Sequence, residues 1–174
     1  LGLCTAAAFF HHIIQKDPEE FQSFANTLYR VGFGFLGGFK IDPDEDLRYT
    51  DYAALARKEK MPPQADWMLM SSVRDSENWL FDFEGTPNEE IAIQTSAKEL
   101  SQWYKKTGFY SNVSFNKDTS LDSIKSIQKT DKNHIALWIT TPLLFESNQK
   151  IGHIISLEGP ITIDEPNNKI TFKY

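Results

Sequence analysis

Cys4 is the single cysteine among 174 residues, and its position is that of a reactive thiol. The segment that follows, TAAAFFHHIIQ at residues 5–15, is predicted to be a helix by its alanines and its long apolar run. A helix N-terminus favours a thiolate, and its unpaired N–H groups can donate to an oxyanion. The sequence therefore makes Cys4 a candidate nucleophile, and the alternative, a lone cysteine as a small buried apolar residue, stays open at this point.

A cysteine nucleophile needs a base, and four histidines are available. His11 and His12 lie on the same predicted helix as Cys4, about 10–12 Å along it at a rise of 1.5 Å per residue, which is too far for a hydrogen bond. We interpret them as core or surface residues. His134 opens a strand-like segment without an acid close behind it, although Glu146 remains open as its partner.

His153 is the favoured base. Gly152 precedes it, the apolar run IISL follows it, and Asp164 closes the next short strand-like segment, PITID. A base held by a carboxylate on a neighbouring strand follows the logic of a catalytic triad, provided that the strand of Asp164 pairs with that of His153. Asn167 and Asn168 are alternative orienting groups, because an amide oxygen also accepts from an imidazole N–H.

The elements that must position these residues change in character along the chain. The sequence Asp17-Pro18-Glu19-Glu20 predicts a helix start, with an end at Gly32 and an inner face of Phe21, Phe24, Leu28 and Val31. Further helices are predicted at 65–78, at 96–107 with a Ser96–Glu99 capping box, and at 120–129. Strand-like runs occupy 134–144, 150–159, 160–164 and 168–174. Helices first and strands last predict an α+β fold, with a helical N-terminal half packed on a C-terminal antiparallel sheet.

Two segments resemble binding motifs only in outline. Residues 31–40, VGFGFLGGFK, satisfy G-x-G-x-x-G formally, but they follow a predicted helix instead of a strand, so we expect a loop that packs aromatic residues. Residues 41–51 are acidic, but they lack the glycine and the closing glutamate of a calcium loop, so we expect a solvated loop with a short helix from Thr50.

Composition excludes several classes of protein. Eighteen basic and 24 acidic residues give a net charge of −6, which argues against nucleic-acid binding and against an anionic membrane surface. One cysteine excludes an internal disulfide and a multi-cysteine zinc site, and we expect neither metal nor cofactor. The chain begins with Leu1 and ends in the strand-like run ITFKY, so we interpret residues 1–174 as a single domain excised from a longer protein.

The pattern as a whole resembles the papain-like cysteine peptidase superfamily. A Gly-x-Cys opens an N-terminal helix, and a Gly-His later opens a strand that an Asp follows, in the superfamily's order of Cys, His and Asp or Asn. The segments that carry a narrower resemblance, to papain-like domains of bacterial polymorphic toxins and type VI secretion effectors, are LCTAAAFF, DWMLMSSVRDSENW, WYKKTGFYS and GHIISLEGPITID. The superfamily often has an oxyanion-hole Gln a few residues before the cysteine; here only Leu1, Gly2 and Leu3 precede it.

The resemblance implies a papain-like cysteine peptidase or amidase. Cys4 would be the nucleophile, His153 the base and Asp164 the orienting acid, with a thioacyl intermediate. It implies a protein or cell-wall peptide as substrate, a cognate immunity protein as partner, and delivery as a secreted effector into target cells, or otherwise a cytoplasmic location. The alternative is a non-catalytic binding module such as an immunity or adaptor protein, which the acidic and aromatic composition fits equally well.

Overall fold

A computed structural model describes residues 3–58, 60–77, 97–118, 120–140, 152–167 and 169–174. The chain divides into two compact units, an N-terminal unit (Leu1–Val113) and a C-terminal unit (Ser114–Tyr174). The sequence-based expectation of a single domain over residues 1–174 stays a prediction.

The described elements mix helices with short antiparallel strands. The N-terminal unit holds α1 (Cys4–Lys16), α2 (Pro18–Val31), β1 (Gly34–Leu36), β2 (Phe39–Ile41), α3 (Glu45–Arg48), α4 (Tyr52–Lys58), α5 (Gln64–Ser76) and α6 (Ala97–Thr107). The C-terminal unit holds α7 (Leu121–Lys125), β3 (Ala136–Thr140), β4 (Gly152–Ser156), β5 (Thr162–Asp164) and β6 (Lys169–Thr171). Within the described ranges, the strands form three two-stranded antiparallel sheets, β1–β2, β3–β4 and β5–β6. The α+β class is therefore confirmed, and the β1–β2 pair corrects the expectation that every strand follows the helices.

Asp17 joins α1 to α2 with no other residue between the two helices. Its backbone N–H donates to the Ile13 carbonyl at 2.8 Å, which closes α1, and its side chain accepts from the backbone N–H of Glu20 at 3.0 Å, which caps α2. Pro18 takes the first helical position, where no N–H is needed. Gly32 ends α2 in the left-handed region with φ of 85°. Both predicted boundaries of α2 are confirmed.

The inner face of α2 is shorter than its spacing predicts. Phe24 and Leu28 are buried and Phe21 is half-buried, but Val31 is 54% exposed. Val31 is the last helical residue, and the chain turns at Gly32 toward β1, so its side chain falls outside the packed face.

Residues 34–41 form a β-hairpin where the sequence predicted a loop. Leu36 pairs with Phe39 across the turn, and the side chains of Leu36, Phe39 and Ile41 point inward and are buried. Phe35 points outward and is 51% exposed, so the segment packs only part of its aromatic surface. Two adjacent glycines between apolar runs are a hairpin signal, and the prediction of a loop overlooked it.

The glycines of that turn allow close approach to the end of α6. The Gly38 N–H donates to the Thr107 carbonyl at 3.1 Å. Gly37 has φ of 55°, and a Cβ there would collide with the same carbonyl oxygen. Backbone contact with a helix C-terminus therefore explains this glycine pair, and no phosphate is needed to account for it.

Phe9 is the centre of the core of the N-terminal unit. Its side chain is fully buried, and its ring centroid lies 5.2 Å from Phe10, 6.1 Å from Phe39, 5.6 Å from Trp103 and 5.3 Å from Tyr104. Most of these ring pairs meet edge to face, which adds about 0.5–1.5 kcal/mol per pair to the gain from burial. Helix α1 is thereby fixed against both the β1–β2 hairpin and α6.

The acidic segment is more ordered than a solvated loop. Asp75, buried on α5, accepts from the backbone N–H of Asp44 at 2.6 Å. The Asp42 carboxylate forms ion pairs with Lys40 at 2.6 Å and with Arg48 at 2.5 Å. These contacts hold the turn before α3, a helix that the sequence did not predict, and they account for carboxylates that suggested a calcium loop.

The remaining helices match their predicted positions to different degrees. Helices α5 and α6 agree with the predictions, and Gly108 follows α6 with φ of 74°, whereas Ser96 of the predicted capping box lies outside the described residues. Helix α7 begins as expected, with the Ser120 side chain accepting from the Ser123 N–H, but it ends at Lys125. It has no buried residue, so no packed face extends it to residue 129. Across the described ranges, no helix is long and apolar enough to cross a membrane.

The C-terminal unit is built on the β3–β4 pair. Leu137 lies opposite Ile155 on an apolar face that continues to the fully buried Leu157. The shorter β5–β6 pair is linked to the end of β4 by the Glu158 N–H, which donates to the Lys173 carbonyl at 2.8 Å.

Candidate functional site

Cys4 is the first residue of α1, as the sequence predicts. Leu3, at the N-cap position, offers no side-chain cap, and the first turn holds no acidic residue. The first hydrogen bond of the helix runs from the Ala7 N–H to the Leu3 carbonyl at 2.9 Å. The backbone N–H groups of residues 4–6 therefore have no acceptor within the helix. The Cys4 side chain is half-buried. The N–H groups at such a helix terminus can donate to a developing oxyanion.

The alanines after Cys4 serve mainly to pack the helix. Ala6 and Ala8 are 1% and 5% exposed, and only Ala7 faces solvent. The small residues therefore allow α1 to lie close to its neighbours, and one methyl group is left on the outer surface beside the thiol.

The histidines of α1 lie one in the core and one on the surface, in line with the prediction that they are core or surface residues. His12 is 1% exposed, and its Nδ1 lies 2.7 Å from the Tyr104 hydroxyl on α6. His11 is exposed and lies 3.0 Å from the Gln15 amide nitrogen. Neither is placed to serve Cys4, which lies two turns away at the other end of the helix.

His153 is the second residue of β4. It pairs with Ile139 on β3 and shares its face of the strand with Ile155. Partial burial lowers the pKa of His153 below the ordinary value, because desolvation disfavours the imidazolium. The ring is therefore neutral near neutral pH, the form in which it can accept a proton.

Packing explains why a glycine stands at position 152, directly before His153. A Cβ at this position would collide with indole atoms of Trp138 on β3. Trp138 is 56% exposed and reaches diagonally across the strand pair to cover the glycine. The Gly-His pattern thus has an explanation in packing that does not involve chemistry.

The strand pairing on which the assignment of Asp164 depended is wrong. Strand β4, with His153, pairs with β3, whereas β5, with Asp164, pairs with β6. The two Asp164 carboxylate oxygens accept from Asn167, at 3.3 Å from its backbone N–H and 2.8 Å from its side-chain amide. This contact closes the tight turn between β5 and β6, which explains why β5 takes β6 as its partner. Asp164 and Asn167, both predicted as orienting groups, bind each other, and the role of either toward His153 stays a prediction.

Glu158 is an acid that the sequence-based assignment missed. The Ser156 hydroxyl donates to Glu158 Oε1 at 3.0 Å, and both residues are half-buried just at the end of β4. Alternation along the strand places residues 154, 156 and 158 on the face opposite to that of His153. That alternation is legible in the sequence and could have identified the acid.

The three predicted catalytic residues lie in different units. Cys4 belongs to the N-terminal unit, and His153 and Asp164 belong to the C-terminal unit. Their convergence stays a prediction. Asn168 and Glu146, which the sequence also offers as orienting groups, lie outside the described residues. In the described part of the chain, no group of three or more His, Cys, Asp or Glu residues could hold a metal ion.

Comparison with protein-family models, with curated proteins and with solved structures finds no match to this chain. Its function must therefore be inferred from its own residues.

Proposed function

We propose that this chain is a papain-like cysteine hydrolase, a peptidase or amidase that acts through a thioacyl intermediate. The observation that carries the proposal is the half-buried thiol of Cys4 at the N-terminus of α1, where the side chain of Leu3 forms no capping hydrogen bond. The helix is rigidly held by the aromatic core around Phe9, so the thiol and the first-turn N–H groups keep a fixed geometry.

The reaction would proceed in two steps. An imidazole accepts the thiol proton, the Cys4 sulfur attacks the carbonyl carbon, and the first-turn N–H groups donate to the resulting oxyanion. The C–N bond then breaks, the amine leaves with the proton from the imidazolium, and an acyl thioester remains on sulfur. Water hydrolyses this thioester, which releases the carboxylic acid and restores the thiol. In the predicted assignment the base is His153, with Asp164 as its orienting group.

The sequence resemblance to toxin domains extends the proposal to biology. We propose that the substrate is a protein or a cell-wall peptide, and that the enzyme is a secreted antibacterial effector that a cognate immunity protein blocks. A protein-binding module is the second candidate, favoured by exposed aromatic residues of the N-terminal unit, of which Tyr29 and Tyr49 are 77% and 79% exposed.

The test measures release of free amines from casein and from purified peptidoglycan by the whole chain. The wild type should act on one of the two substrates, and Cys4→Ser should lose that activity. His153→Ala tests the predicted base, and His11→Ala is its matched control, because His11 is exposed and lies on the Cys4 helix. Activity that survives Cys4→Ser would refute a cysteine hydrolase. Wild-type inactivity on both substrates, with tight binding of either, would favour the binding module.

A further inference from the structure

The stretch of chain between α3 and α5 contributes no residue to the core. Leu47 of α3 and Trp67 of α5 are each 5% exposed, but none of the described residues between them, 48–58 and 60–66, is buried. Burial of apolar side chains is the main force that holds a segment to its domain, so a stretch without it can open locally at a low free energy. The two flanks are therefore fixed in the core, and the stretch between them is not.

Helix α4 forms the middle of this stretch and is too short to be stable by itself. It has seven residues, Tyr52–Lys58, and none of them is buried. An isolated helix shorter than about 12–15 residues is marginal in water, even when it is rich in alanine. The Asp51 carboxylate supports the first turn by accepting from the Ala54 N–H at 2.9 Å, but one cap does not offset the cost of helix nucleation. Helix α4 therefore depends on tertiary contacts to remain helical.

Tyr52 supplies two of those contacts from the first position of α4. Its ring centroid lies 5.4 Å from that of Trp67, at an interplanar angle of 51°. Its hydroxyl donates to the Pro62 carbonyl, on the chain that leads into α5. One half-buried side chain thus ties the start of α4 to α5 and covers part of the Trp67 indole.

Trp67 itself belongs to a helix that is firmly held. Its backbone N–H donates to the Pro63 carbonyl at 2.9 Å, which is the first hydrogen bond of α5. Leu69 and Val73 of the same helix are buried in the core. Release of Tyr52 would therefore leave the indole on a fixed helix, with more of its ring in contact with water.

We propose that α4 is a lid over Trp67, which Tyr52 holds shut and which opens by local unwinding while the rest of the N-terminal unit stays folded. The closed and open states differ in how much of the Trp67 ring is accessible. The lid is a conformational device of the N-terminal unit alone, and it is independent of hydrolase activity.

Amide hydrogen exchange of the whole chain tests the lid. In the wild type, the amides of α4 should exchange about tenfold faster than those of α2 or more, and low urea concentrations should accelerate α2 more than α4, because local opening exposes little surface. Tyr52→Ala should speed the exchange of α4 by about another tenfold and leave α2 unchanged. Tyr52→Phe, which keeps the ring on Trp67, should act in the same direction with a smaller effect. Exchange of α4 and α2 at the same rate, with the same urea dependence, would overturn the lid, since α4 would then open only when the unit unfolds.

Tyr49→Ala is the matched control, because Tyr49 lies shortly before α4 and is 79% exposed. This substitution should leave the exchange of α4 unchanged. An effect of Tyr52→Ala no larger than that of Tyr49→Ala would show that Tyr52 does not hold the lid. If Tyr52→Ala accelerates α2 as much as α4, Tyr52 supports the whole unit and the proposal fails.

Tryptophan fluorescence tests what the lid covers. The chain has four tryptophans, so the signal of Trp67 is obtained by difference from Trp67→Phe. Acrylamide should quench Trp67 more strongly in Tyr52→Ala than in the wild type, and the double variant Tyr52→Ala/Trp67→Phe should lose this gain. Faster exchange of α4 without stronger quenching of Trp67 would show that α4 does not cover the indole, which would overturn the lid.

Discussion

The indole of Trp138 lies directly on the Cα of Gly152, at the end of the β3–β4 pair. Three indole atoms, Nε1, Cε2 and Cζ2, occupy the space that a Cβ at residue 152 would need. The indole ring and the strand backbone are therefore packed without a gap, next to the residue before His153.

Gly152→Ala should destabilise the protein by about 1–3 kcal/mol, because the added methyl must displace the Trp138 ring. Gly159→Ala is the control, since its Cβ would meet only the Cβ of Lys173 at an ordinary 3.6 Å. Urea unfolding measures both variants. The double variant Trp138→Ala/Gly152→Ala should recover much of the stability that Gly152→Ala loses. Equal destabilisation by Gly152→Ala and Gly159→Ala would contradict the packing argument.

Gly37→Ala should destabilise more than Gly108→Ala. Both glycines have positive φ, 55° and 74°, so each substitution carries backbone strain of about 1 kcal/mol or more. Only at Gly37 does the new Cβ also collide with the Thr107 carbonyl, whereas nothing lies within 4 Å of a Cβ at Gly108. Thermal and urea unfolding of the two variants, side by side, measure the difference. A cost at Gly108 as large as that at Gly37 would show that strain alone matters.

Tyr104→Phe should cost about 1–3 kcal/mol of the free energy of unfolding, because it removes the hydroxyl that lies 2.7 Å from the buried Nδ1 of His12. Tyr29→Phe is the control, and since Tyr29 is 77% exposed its change should stay within about 0.5 kcal/mol. Chemical denaturation followed by circular dichroism compares them. Similar small effects at both positions would mean that another group satisfies His12 when the hydroxyl is gone.

The stability of the N-terminal unit should fall at alkaline pH. Burial raises the pKa of Tyr104 and of Tyr110 well above the ordinary value, since the phenolate is disfavoured in the core. In the unfolded chain both groups release protons near pH 10, so stability is fully present below about pH 10 and is lost as the pH rises further. Denaturant midpoints at increasing pH measure this loss. Tyr104→Phe and Tyr110→Phe should each flatten the curve, and an unchanged alkaline limb in both variants would contradict this assignment.

The stability of the C-terminal unit should fall at acidic pH, because of His153. Its pKa is lowered by partial burial, so the unfolded state binds the proton more readily than the folded state does. Stability should therefore be present above about pH 6.5 and decline as the pH falls below it. His153→Gln should reduce this acid sensitivity, and His11→Gln, at an exposed position, serves as the comparison. An unchanged acid limb in His153→Gln would assign the sensitivity to other groups.

The elements whose signals are local could be predicted from the sequence. The Asp17 cap, Pro18 and Gly32 define α2 because caps and glycines act on their own neighbours. The hairpin at residues 34–41 was also within reach of the sequence, because Gly37 and Gly38 between apolar runs are a local hairpin signal, but their contact with Thr107, a residue distant in sequence, was not. The exposure of Val31 was missed for the same reason, since periodicity along a helix does not reveal where the packed surface ends.

For the candidate site, strand pairing could not be predicted, because it too depends on contacts between residues distant in sequence. The position of Cys4 at a helix start follows from residues beside it, and the structure confirms it. The choice of Asp164 needed the partner of each strand, which depends on turns and on long-range packing, and a tight turn closed by Asn167 gave β5 a different partner. Glu158 was within reach of the sequence, because alternation along β4 places it with Ser156 on the face opposite to that of His153, and the Ser156 hydroxyl donates to it.

The direct joint at Asp17 has a consequence for the order in which the molecule assembles. Helices α1 and α2 meet with no loop to close, and Phe10 contacts both Phe21 and Phe24 across short stretches of chain, so little entropy is lost in bringing them together. We expect this helical pair to be among the first structures to form, and to do so while the chain is still emerging from the ribosome. Cys4 would then be presented on an ordered helix before His153 has been synthesised, and the nascent chain would carry its thiol without the histidine that we propose as its base.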